Sequence, residues 1–77
     1  MIGRTFEVTT LVKPQENETA NQYNIRVLET WGDCARELRE TLNKAGHKVK
    51  KKDITVEQKV IDSNILVKAK CFIEGVE

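Results

Sequence analysis

Hydrophobic and polar residues alternate along both ends of this 77-residue chain and fall at helical spacing only in its middle. Ile2, Phe6, Val8 and Val12 share one parity, with Thr5, Glu7, Thr9 and Leu11 on the other, as in a strand with one face on a core. Lys13-Pro14 closes that strand, because proline lacks the amide hydrogen a ladder needs. Residues 15 to 22 are polar and predict a loop. Tyr23, Ile25 and Val27 then alternate with Asn24, Arg26 and Leu28, which predicts a second strand over Tyr23 to Glu29 and an antiparallel first hairpin.

The period changes after Glu29. Trp31, Cys34, Leu38, Leu42 and Ala45 recur every three or four residues, the stripe of an amphipathic helix. Thr30 stands where a cap is expected, with Asp33 three residues on. Gly46 supplies the left-handed residue that stops the helix. Arg36–Glu40 and Glu40–Lys44 are spaced as i,i+4 ion pairs on the polar side. Beyond the helix, Ile54, Val56 and Val60 predict a third strand and Asp62-Ser63-Asn64 a turn. Ile65, Val67, Ala69, Cys71 and Ile73 line one face of a fourth. The expected fold is α+β: one ββαββ domain over residues 1 to 77, an antiparallel four-stranded sheet with one helix on one face.

One helix cannot cover both faces of a sheet, so the other face is the first candidate for function. It would carry Leu11, Leu28, Leu66 and Phe72 among polar neighbours, an apolar patch suited to a partner. These four are the candidate partner-binding residues. Unpaired sheet edges add the expectation of a homodimer.

Charge narrows the picture. Thirteen Lys and Arg against twelve Asp and Glu leave a net charge of +1, neither the strong basicity of a general nucleic-acid binder nor the acidity of a DNA mimic. The signs are nonetheless segregated, acidic before and within the helix and basic after it. Lys50, Lys51, Lys52, Lys68 and Lys70 could form a stripe across the second hairpin, and phosphate binding there is the alternative function. No apolar run reaches the length that spans a membrane, and Met1 to Glu7 lacks the apolar segment of a secretory signal. A cytoplasmic location is expected.

Candidate chemistry is sparse. Cys34 and Cys71, 37 positions apart, fit no metal spacing and fall on core faces. His47 follows the helix end, where an imidazolium complements the helix dipole. Ser63 lies in a turn without a neighbouring base, and no glycine-rich phosphate loop is present. Neither a metal nor a cofactor is expected, and the chain reads as non-enzymatic.

Phe6 to Val12, an acidic loop, Gln22-Tyr23 and a following helix together resemble small phage inhibitors of uracil-DNA glycosylase. That family is built from strands and one helix, acts as a dimer and imitates features of DNA. The resemblance implies a protein that blocks a nucleic-acid-processing enzyme. The near-neutral charge departs from that family's acidity, and no binding residue is carried across.

Overall fold

The computed structural model describes residues 2–75. They form a strand β1 (Gly3–Val12), a helix α1 (Ala20–Lys44), a short 3-10 turn η1 (Lys51–Asp53) and two strands, β2 (Thr55–Ile61) and β3 (Asn64–Glu74). The sheet is antiparallel with order β1-β3-β2, so the last strand is the central one. The class is α+β as expected, but the order is βαββ and the described residues contain three strands.

The expected second strand is helix. The local alternation of Tyr23, Ile25 and Val27 is outweighed by a longer period, because Tyr23, Val27, Trp31, Cys34, Leu38 and Leu42 continue one helical stripe without a break. The helix also starts where the chain can satisfy it. Thr19 Oγ1 accepts from the Gln22 amide at 3.1 Å, and Gln22 Oε1 accepts from the Thr19 amide at 2.9 Å. This is a complete capping box, eleven residues before the expected cap. Thr30 lies inside the helix, its hydroxyl donating to the Arg26 carbonyl at 2.8 Å. Arg36 turns back to Asp33 at 2.9 Å, not forward to Glu40.

The C-terminus stops as the sequence predicts. Gly46 has φ +96°, the His47 amide donates to the Leu42 carbonyl at 3.0 Å, and the Gly46 amide donates to Asn43 at 3.1 Å, a Schellman arrangement. Asn43 Oδ1 also accepts from the amide of buried Val49, which ties the outgoing chain to the helix. Asp62 and Ser63, both at positive φ, close the β2–β3 hairpin between Ile61 and Asn64.

Inward parity decides the core. Val12 from β1 and Val67, Ala69 and Cys71 from β3 are buried with Val27, Cys34, Leu38, Leu42 and Val49. Phe6, Val8, Tyr23, Trp31, Ile54, Val56, Ile65 and Ile73 pack around them. Two polar ties anchor the start of the helix. The Tyr23 hydroxyl donates to the Val12 carbonyl at 2.6 Å and accepts from the Ile65 amide at 3.1 Å, standing between the strands where they pair last. Arg26 grips both carboxylate oxygens of Glu18, at 2.5 and 2.8 Å, and donates to the Lys13 carbonyl at 2.6 Å. That grip, with the Gln15 amide also donating to the carboxylate, lowers the Glu18 pKa to about 2.

Two predictions follow from this packing. A Cβ at Gly32, exposed in mid-helix, would meet nothing within 4 Å beyond its chain neighbours and the adjoining helix backbone. Gly32→Ala should therefore stabilise the protein by about 0.8–1 kcal/mol, the cost of glycine in a helix interior. The thermal midpoint should rise by about 4–8 °C. Because the Glu18 pKa is depressed in the fold, its stabilisation is present above the ordinary carboxylate pKa of 4.5 and is lost as pH falls toward about 2. The stability gap between wild type and Glu18→Gln, measured by denaturant titration, should be constant near neutrality and should close across that acid window.

Candidate interaction surface

The face of the sheet turned away from α1 has no covering layer among the described residues. It is built from the outward parity of each strand. β1 contributes Gly3, Thr5, Glu7, Thr9 and Leu11, β3 contributes Leu66, Lys68, Lys70 and Phe72, and β2 contributes Thr55, Glu57, Lys59 and Ile61. Register places Leu11 directly opposite Leu66, and Lys59 opposite Leu66 on the other side. Ile61, which the sequence left unassigned, lies diagonally beside Leu66, within reach of a cross-strand contact. Leu11 and Ile61 are exposed and Leu66 is half-buried, so one end of the face is an apolar cluster.

Phe72 stands at the other end, opposite Thr5 and 58% exposed. Its ring lies over Gly3 and fills the space a Cβ there would need. Six residues of extended strand separate Phe72 from Leu66, roughly 20 Å.

Between the two ends lies a charged block. Lys68 and Lys70 project from the central strand, Glu7 from β1 and Glu57 from β2. Lys68 Nζ is 3.4 Å from Glu7 and Lys70 Nζ is 3.2 Å from Glu57. Exposed pairs of this kind contribute about 0–1 kcal/mol each to stability. Their larger effect is on the field, since two of the three lysines on this face are matched by Glu7 and Glu57, while Lys59 is not paired among the described residues.

The four candidate partner-binding residues are therefore not one patch. Leu11 and Leu66 meet, and Phe72 shares their face at a distance. Leu28 is on α1, 65% exposed, and does not belong to the sheet. Its outward position comes from the helix period that displaced the expected second strand. On α1 it stands near exposed Ile25. The exposed Val60 of β2 points to the helix side, where Trp31 reaches across to donate to Gln58 Oε1 at 2.9 Å.

The basic stripe is not assembled either. Lys68 and Lys70 are paired on the open face, whereas Lys50, Lys51 and Lys52 lie at the η1 turn, held there by Asp53 accepting from the Lys50 amide at 3.0 Å. Pairing between β2 and β3 begins at Thr55 and Lys70, so Cys71 to Glu74 run on without a β2 neighbour. A cavity of about 570 Å³ opens there, with Lys48, Asp53, Lys70, Phe72 and Glu74 in its walls. Its charges are again mixed.

The reactive side chains are occupied structurally. Cys34 is buried, its thiol donating to Thr10 Oγ1 at 3.3 Å. Burial pushes the Cys71 thiol pKa up, with the Asp53 charge adding to the shift, which disfavours the thiolate a nucleophile needs. The His47 ring centroid lies 6.1 Å from that of Phe6. Among the described residues, no three of His, Cys, Asp and Glu gather as metal ligands. No described helix is long and apolar enough to cross a membrane.

Comparison with protein-family models, curated proteins and solved structures gives no match for this chain. In the stretch that resembles glycosylase inhibitors, Phe6 to Val12 lie in β1 and Gln22 and Tyr23 in the first turn of α1.

Proposed function

We propose that this protein is a small non-enzymatic interaction module that binds another protein through the open face of its sheet. The observation that carries this reading is the make-up of that face. Leu11, Leu66, Ile61 and Phe72 are left at its two ends, while the central lysines are countered by Glu7 and Glu57. Lysines that face carboxylates present a weakened field to a phosphate backbone. It suits a partner that buries apolar anchors at both ends and meets polar groups in the middle. Nucleic-acid binding through Lys68 and Lys70 is disfavoured for the same reason.

The outer edges of β1 and β2 have no neighbouring strand among the described residues, and such edges can also add backbone hydrogen bonds to a partner. A second copy of the chain is one such partner.

The test uses Leu11→Asp and Phe72→Asp, both at exposed sites, so the fold should survive as judged by circular dichroism. Wild-type protein should either sediment as a dimer or retain a protein at one-to-one stoichiometry from nuclease-treated cell extract. Each variant should lose that association by at least about tenfold, the loss of one apolar anchor. Association unchanged in both folded variants, or abolished by nuclease, contradicts the reading.

A further inference from the structure

On the opposite side of the sheet, three cations line one crevice, and only Arg36 among them is paired with a carboxylate of the described residues, that of Asp33. We propose that the crevice between α1 and η1 binds a phosphate monoester through Arg36, Arg39 and Lys51. These three side chains, with Gly32, Ala35 and Ile54, line a cavity of about 300 Å³. That is the lower end of the size range of small-molecule sites, about 300–1,000 Å³.

The charge arrangement is the first argument. Two arginines one helical turn apart meet a lysine from a different element, and the cavity lining contains no carboxylate. Arg36 makes an exposed pair with Asp33, but neither Arg39 nor Lys51 has a carboxylate of the described residues within 4 Å. Lys68 and Lys70 on the open face, by contrast, each lie beside a carboxylate. Like charges gathered at one crevice repel, and an anion between them removes that repulsion.

The second argument is placement. Lys51 is not on a free tail, because the Asp53 amide donates to the Lys50 carbonyl at 2.9 Å and Asp53 Oδ2 accepts from the Lys50 amide. The turn so formed sets Lys51 against the helix. Asp53 itself lines the other cavity and leaves this one positive.

The lining also specifies the ligand. Guanidinium forks bind phosphate oxygens in pairs, and three positive groups match a dianion better than a monoanion. Gly32 leaves open space, and Ala35 and half-buried Ile54 give the floor an apolar surface that a bare inorganic anion would not use. An ester with a small nonpolar body uses both features. This site lies on the helix side, so its failure would leave the reading of the open sheet face untouched.

The experiment is an NMR titration of the whole chain with phenyl phosphate, compared with inorganic phosphate. Phenyl phosphate should bind saturably, more tightly than inorganic phosphate, and should shift the amide signals of Gly32, Ala35 and Ile54. Binding should weaken at least tenfold in Arg39→Gln and in Lys51→Gln, both checked for an unchanged helix signal, and should be unaffected in Lys68→Gln. It should also weaken below about pH 6, where the ester becomes a monoanion. The proposal is overturned if no saturation is reached at tens of millimolar, or if Arg39→Gln and Lys51→Gln bind as wild type does. It is also overturned if a single-stranded oligonucleotide binds more tightly and its affinity falls equally in Lys50→Gln and Lys52→Gln. That pattern would indicate an extended basic surface.

Discussion

Val27, Cys34, Leu38 and Leu42 of α1 join Val67, Ala69 and Cys71 of the central strand in one buried cluster, and the rest of the molecule depends on that contact. Each large apolar side chain buried there contributes about 1.5–3 kcal/mol. A chain this short has few such groups to use. Val67 and Ala69 are wholly buried. Because β3 is central, the cluster holds β1 and β2 through their pairing with it. The Tyr23 hydroxyl and the Arg26–Glu18 grip then fix the first turns of the helix against the end of β1.

A single helix on a three-stranded sheet leaves two kinds of surface. Among the described residues the face away from the helix has no covering layer, and Lys68 and Lys70 at its centre are each paired with a carboxylate. The helix side is covered over β1 and β3, while the flank of α1 facing β2 is only partly filled. Val60 of β2 is exposed on that side, and the Arg36, Arg39 and Lys51 crevice lies between α1 and η1. The near-zero net charge of the whole chain therefore hides two different local balances.

Much of this was legible in the sequence, and the misreading had one source. The parity of β1, β2 and β3, the Gly46 stop and the Asp62-Ser63 turn follow from alternation and turn chemistry, which act over a few residues. Tyr23 to Glu29 alternates equally well, but its fate was decided by the capping box at Thr19 and Gln22 and by a stripe reaching to Leu42. The Thr19-x-x-Gln22 signature lies inside a polar stretch whose composition alone indicates a loop. That one exchange of strand for helix moved Leu28 off the sheet and brought β1 beside β3. Strand order and the Lys–Glu pairing of the open face depend on long-range register, which alternation does not encode. Arg36 and Arg39 resembled an ordinary solvated helix face, because Lys51 joins them only in three dimensions.

The central claim is that one face of the sheet is packed under a helix and the other is left bare for a partner. Relaxation enhancement by a soluble paramagnetic chelate, measured by NMR at concentrations where the chain is monomeric, tests it directly. The side-chain signals of Leu11 and Phe72 should be strongly attenuated, while those of Val67, Ala69 and Leu38 should be protected. Equal protection of both sets would reveal a second covering layer, equal attenuation would show that the helix does not pack as described, and either result would contradict the account.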